Sequence, residues 1–286
     1  MTLRSGFIGL GNIGKPMARC WVDAGFPCAI FDVAPEPLEE VGAAGAVVVA
    51  SPREVAENAE VIGICVRDDD DVRAVLLGED GVLAGASEGT LVMIHSTVQP
   101  GTVVAMAQAG AERGVSVVDV AITGGEARAA TGDLATMVGG DAASVEKAKP
   151  LFDVFSKAGV FPCGELGDGM RVKLCINVVT YLQFSAGLEG LKLAKGCGLD
   201  LQTFIDVGRA NGQITPLMER FLIIHQLSDE DRASEGMQSV VRPQKIVAEK
   251  DLAWALKLAR ENGVSLPGAA LVSQLMGAVY GVEDPK

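Results

Sequence analysis

Leu3-Arg4-Ser5-Gly6-Phe7-Ile8-Gly9-Leu10-Gly11-Asn12-Ile13-Gly14 begins as a short apolar run, breaks into glycines and then takes on helical spacing. Glycine at 9, 11 and 14 suits a tight turn, a backbone that a ligand can approach closely, and a helix packed near its strand. A helix opening at Asn12 offers unpaired N–H groups and partial positive charge to a phosphate. Asp32 follows Gly14 by 18 residues and ends the apolar run Ala29-Ile30-Phe31. A carboxylate there receives ribose hydroxyls and repels a 2′-phosphate, and Val33-Ala34-Pro35 bring no Arg or Lys to receive one. The pattern therefore points to a dinucleotide held by Gly9, Leu10, Gly11, Asn12, Ile13, Gly14 and Asp32, with NAD favoured over NADP.

Working outward from this unit, β-rich runs alternate with helical patterns up to about residue 162. Strands are expected at 3–9, 27–32, 46–49, 60–66, 90–95, 115–120, 134–138 and 159–162, and helices at 12–24, 52–58, 69–77, 101–113 and 142–157. Near-continuous apolar strands such as Val61-Ile62-Gly63-Ile64-Cys65-Val66 suit a sheet covered on both faces, so a doubly wound, mostly parallel α/β sheet is expected. After Gly164 the pattern becomes all-helical: 167–195 reads as one long helix, apolar on several sides, followed by helices at 201–209, 216–227, 243–261 and 267–280. All-round hydrophobicity implies burial between partners. The domains are thus 1–164, binding the dinucleotide, and 165–286, an all-α part beginning with the long helix.

The 286 residues are 49% hydrophobic and 21% charged, with a formal charge of −13, which excludes a disordered chain. That field repels phosphate backbones and anionic lipid, so neither nucleic acid nor a membrane surface is an expected partner. No apolar stretch is long enough for a membrane span. The first residues run straight into a strand pattern, which argues against a signal peptide and for a cytoplasmic protein. Six scattered cysteines and two histidines give no metal site; the cysteines read as small core residues of a reduced protein. His95 and His225, both in apolar runs, read as structural. Asp68-Asp69-Asp70-Asp71 reads as a solvated helix cap.

Two further clusters carry chemistry. Lys173 and Asn177 are four apart and share a helix face. A lysine facing inward there has its pKa lowered by desolvation, and an amide one turn away can orient a substrate oxygen. The same spacing fits a snorkelling lysine beside an ordinary helix asparagine. Thr123, Gly124 and Gly125 leave a strand's C-terminal end, where exposed N–H groups and a hydroxyl suit a carboxylate; a ligand-free β-turn fits equally well.

Taken with the glycine turn and Asp32, these residues give a chain that resembles the β-hydroxyacid dehydrogenases over essentially its full length. Six blocks carry the resemblance in order: the Gly9–Gly14 turn followed by Pro16-Met17; Ser96-Thr97-Val98-Gln99-Pro100; Asp119 through Gly125; Gly132-Asp133-Leu134-Ala135-Thr136-Met137-Val138-Gly139-Gly140; Gly169 through Asn177; and Lys250-Asp251-Leu252. The resemblance implies a Rossmann domain joined by a long interdomain helix to an all-α C-terminal domain, assembled as a homodimer or homotetramer. It implies NAD-dependent oxidation of a small anionic β-hydroxyacid, or reduction of the corresponding semialdehyde. Lys173 then serves as general acid/base, Asn177 orients the substrate, Thr123, Gly124 and Gly125 bind its carboxylate, and Thr97 and Lys250 contact the cofactor.

The chain departs from that family in three ways. Val66-Arg67 replaces a common Leu-Pro, placing a cation beside the cofactor. Residues 218–242 do not match the usual short connection, and no Phe occurs between Phe221 and Lys250. Two rival functions remain. Imine reductases of similar architecture typically carry Asp or Tyr where Lys173 stands, and a non-catalytic NAD-binding module need not keep the Lys173/Asn177 pair.

Overall fold

Phe7 and Ile8 are neighbours in sequence and go to different hydrophobic cores, one on each face of a sheet, because side chains alternate along a strand. The computed structural model in which they lie describes residues 2–282. Among the described residues the sheet has eight strands: β1 (Ser5–Ile8), β2 (Cys28–Phe31), β3 (Val47–Val48), β4 (Val61–Ile64), β5 (Leu91–Ile94), β6 (Ser116–Thr123), β7 (Ala135–Gly139) and β8 (Gly159–Gly164). Their order is β3-β2-β1-β4-β5-β6-β7-β8. Neighbours pair in parallel except β6 with β7, so the sheet is mostly parallel and doubly wound, as expected. Each expected strand is present. β6 runs past its expected end to Thr123, which pairs with Ala135.

The chain forms two compact units, Met1–Lys173 and Leu174–Lys286. In the first, Ile8, Ile62, Ile64, Val92 and Ile94 fill one face of the sheet. Phe7, Trp21, Ile30, Met93, Val120 and Phe155 fill the other. Full burial of each such side chain stabilises the fold by about 1.5–3 kcal/mol. His95 lies in the second of these layers, its ring stacked 5.9 Å from Phe7 and edge-on to Phe155. In the second unit, Tyr181, Phe184, Leu188 and Leu191 of the long helix Asp168–Gly196 pack with Phe221, Leu222, Val241, Leu252 and Val279. Phe184 and Phe221 stack at 4.3 Å.

Several expectations are corrected. The helix expected from Pro243 begins at Glu235 and runs to Glu261 with Pro243 inside it. Proline favours first helical positions, which drew the expected start there. The real cap is Ser234, whose side chain accepts the Met237 N–H. The expected 267–280 helix is two, Pro267–Ser273 and Met276–Tyr280. The backbone tightens to i→i−3 bonds at Gln274 and Leu275, which ends the first of them. The long helix is not covered all round within the chain: Val172, Ile176 and Val179 are exposed. Of the cysteines only Cys28 is buried, and Cys175 and Cys197 are exposed. In the acidic run Asp68 caps its helix through the Asp70 and Asp71 N–H groups. Asp69, however, is buried and accepts from the Thr102 hydroxyl and the Gln99 N–H, so this carboxylate ties the starts of two helices together instead of facing water.

Candidate functional site

The strand order reverses at β1, with β2 on one side and β4 on the other. In open α/β sheets ligands bind outside the carboxyl ends of strands at such a point. Gly9 stands there with φ +90°, and a Cβ on it would lie 2.3 Å from the Cys65 carbonyl oxygen. A Cβ on Gly14 would lie 1.9 Å from the Gly9 carbonyl oxygen. At Gly11 a Cβ would meet no protein atom within 4 Å. The fold itself therefore requires glycine at 9 and 14, whereas at 11 the requirement comes from whatever approaches the backbone. The helix starts at Gly14 instead of Asn12, so Leu10, Gly11, Asn12 and Ile13 form the turn itself.

Asp32 braces that turn. Its Oδ2 accepts the Leu10 N–H and its Oδ1 accepts the Ala34 N–H at 2.8 Å. Each carboxylate oxygen keeps a further lone pair for a ribose hydroxyl. The glycine turn, its helix start and this acid fit a dinucleotide without a 2′-phosphate. Nearby, the Val66 N–H donates to Ser96 Oγ at 2.8 Å, joining the β4 and β5 exits just before half-buried Thr97. Arg67 is 85% exposed and its guanidinium makes a two-pronged pair with Asp71 at 2.7 and 2.9 Å. The hydrogen bonds from Arg67 hold the Asp71 carboxyl below the usual carboxylate range. The cation expected at this edge is thus partnered within its own turn.

Asp119 links the sheet to the long helix. It is fully buried on β6, and its carboxylate accepts the N–H groups of Gly167 at 2.7 Å and Met170 at 2.8 Å. Burial pushes its pKa up, and those two backbone bonds oppose the shift. A Cβ on Gly139 or Gly169 would lie 2.5 or 2.8 Å from this carboxylate, so both glycines make room for it. A Cβ on Gly167 would lie 3.3 Å from Pro100 Cβ. The helix start therefore sits beside the turn that carries Thr97. Lys173 follows in the next turn and is half-buried. Thr123 closes β6, with Gly124 at φ +140° and Gly125 at φ +75°, conformations that side chains rarely adopt.

In the second unit Asn177 is buried and its Nδ2 donates to Asp251 Oδ2 at 2.6 Å. Lys250 Nζ lies 3.0 Å from the other oxygen of the same carboxylate. Asn177 and Lys250 thus meet at Asp251, and Lys173 precedes Asn177 by one turn of the same helix. Sequence reasoning gave no role to Asp119, Asp251 or Tyr181. An acid inside Val117-Val118-Asp119-Val120-Ala121 was the available signal for the first. Asp251 and Tyr181 carry no such mark, because their partners are distant in sequence. Both histidines bond to backbone: His95 Nδ1 lies 2.9 Å from the Val120 carbonyl, and His225 Nε2 lies 2.7 Å from that of Val279. Among the described residues no cluster of His, Cys, Asp and Glu could hold a metal ion.

A family profile described as the NAD binding domain of 6-phosphogluconate dehydrogenase matches residues 4–171. An uncharacterized oxidoreductase of Mycobacterium tuberculosis is 35% identical over 284 residues, covering 99% of this chain and 95% of that one. The NAD-dependent L-serine dehydrogenase of Pseudomonas aeruginosa is 31% identical over 269 residues, 94% and 89% of the two chains. The solved 3-hydroxyisobutyrate dehydrogenase of Mycobacterium tuberculosis with L-serine is 26% identical, with a TM-score of 0.78 over 97% of this chain and 94% of that one. The fold and the glycine turn define an NAD-binding oxidoreductase. The chain belongs to the β-hydroxyacid dehydrogenase family.

Proposed function

We propose that the chain oxidises a hydroxyl β to a carboxylate, or reduces the corresponding semialdehyde, with NAD as its redox partner. When bound, the nicotinamide supplies the hydride chemistry. The substrate carboxylate is received by the backbone N–H groups of Gly124 and Gly125 and the Thr123 hydroxyl. Lys173 Nζ takes the hydroxyl proton in oxidation and returns one to the oxygen in reduction. Asn177 orients that oxygen, which cuts the rotational freedom the reaction must otherwise lose. The observation that carries this reading is the placement of Lys173 and Asn177 on consecutive turns of one helix whose first turn Asp119 holds by two backbone bonds.

The partner reading is a homodimer or homotetramer. It is supported by exposed Val172, Ile176 and Val179, which follow one stripe of the long helix. No described helix is long and apolar enough to cross a membrane.

The test is Lys173→Ala, assayed with NAD and L-serine or 3-hydroxyisobutyrate and, in parallel, by NADH fluorescence. Turnover should fall by about 10²–10⁴-fold, the range typical of a lost general acid/base, while NADH still binds. Undiminished kcat in this variant would remove the proton carrier from the reading.

A further inference from the structure

Asp251 is 2% exposed and lies on the Glu235–Glu261 helix, yet three groups converge on it. Asn177 Nδ2 and the Tyr181 hydroxyl donate to Oδ2 at 2.6 and 3.2 Å, and Lys250 Nζ stands 3.0 Å from Oδ1. Asn177 and Tyr181 are themselves each 7% exposed and are one helical turn apart, so a single face of the long helix brings both donors to one oxygen. A carboxylate out of water is costly unless it is paired and hydrogen-bonded, and here it is both. A hydrophobic residue of similar volume would fill the same space without that desolvation cost. What such a residue could not do is choose an orientation for an amide.

An ionised carboxylate only accepts, whereas an amide has a donating end and an accepting end. The Asn177 amide can therefore face Asp251 only with its nitrogen. Turning it over would set its carbonyl oxygen against a buried negative charge with no proton between them. From this geometry we propose that Asp251 is the positioning residue for Asn177: it fixes which end of the amide meets the substrate oxygen, and Tyr181 braces the carboxylate that does so. The proposal rests on the reading of Asn177 as the substrate-orienting amide. It adds two residues that act through Asn177 and do not themselves touch substrate.

The test is a mutant cycle in the full chain. Asp251→Asn and Tyr181→Phe are each made in the native background and in Asn177→Ala, with turnover of L-serine and 3-hydroxyisobutyrate measured against NADH affinity. In the native background Asp251→Asn should lower kcat/KM by about ten- to a hundredfold, as expected for a misplaced reacting group, and by more than any loss of NADH affinity through Lys250. Tyr181→Phe, which removes one oxygen only, should lower it by about threefold. In the Asn177→Ala background neither change should cost further activity, because the group they act through is gone. Equal losses in both backgrounds would overturn the proposal. So would an Asn177 side-chain amide that does not shift in ¹H–¹⁵N spectra on Asp251→Asn or Tyr181→Phe. The chain has five asparagines, and the Asn177 pair is assigned by its loss in Asn177→Ala. The spectra need no substrate. Undiminished turnover in Asn177→Ala would sink the substrate role of Asn177 itself, and the spectra separate that outcome from a failure of the Asp251 contact.

Discussion

The carboxylate of Asp119 receives the Met170 N–H at 2.8 Å, so a residue in the middle of the sheet holds the first turn of the helix that carries Lys173. Helix N-termini have N–H groups with no partner inside the helix, and a buried carboxylate matches them in charge and in hydrogen bonding. Replacing Asp119 with Ala leaves two buried N–H groups unpaired, those of Gly167 and Met170. Chemical denaturation should show a loss of about 2–4 kcal/mol. Asp119→Asn retains one accepting oxygen and should lose less.

Gly11 and Gly14 separate ligand binding from folding. A methyl at Gly11 touches no protein atom within 4 Å, whereas one at Gly14 runs into the Gly9 carbonyl. Gly11→Ala should keep the native melting temperature and weaken NADH binding by about tenfold or more, since on the proposed reading the added carbon stands in the path of the pyrophosphate. Gly14→Ala should lower the melting temperature as well. Calorimetry on both variants, with and without NADH, makes the comparison.

On the proposed reading Asp32 sets the dinucleotide preference by charge. Asp32→Ser removes the carboxylate that repels a 2′-phosphate and leaves a hydroxyl to accept one of the two backbone N–H groups. The ratio of NADH to NADPH affinity should fall by about tenfold, roughly the effect of one unfavourable close charge pair. An unchanged ratio would place discrimination elsewhere.

His95 makes the fold sensitive to acid. Burial lowers its pKa from 6.5 to about 4, and the hydrogen bond to the Val120 carbonyl only partly opposes this. Between those values the unfolded chain takes up a proton that the native chain refuses. Stability is therefore full above about pH 6.5 and falls as the pH drops towards 4, by roughly 3 kcal/mol in total. Urea midpoints should decline across this window in the native protein. In His95→Phe they should decline less steeply, although the lost bond to Val120 lowers stability at neutral pH.

The sheet was legible because its signals are local. Near-continuous apolar runs, glycine turns and the alternation of strand and helix patterns placed all eight strands, and the Gly9–Gly14 turn with Asp32 could be read within a few dozen residues. Lys173 and Asn177 were legible as a pair because a helix brings residues four apart together wherever it lies. The bonds that fix them were not. Asp119 and Met170 are 51 apart in sequence, and Asn177 and Asp251 are 74 apart, so no local spacing joins them. The Glu235 helix start was missed for a different reason: Pro243 imitates a first helical residue, and the interior packing of Gln238 and Val241 holds the helix through it.

The chain has two tyrosines, and both are buried in the helical unit. Burial pushes the Tyr181 and Tyr280 hydroxyls above their ordinary range, and the negative charge of Asp251 adds to the shift. Above about pH 10, where an ordinary tyrosine ionises, the folded protein is accordingly silent in phenolate absorbance, and the signal emerges from molecules whose second unit has opened. An ordinary spectrophotometer can then follow the loss of that unit, and no dye or label has to be attached.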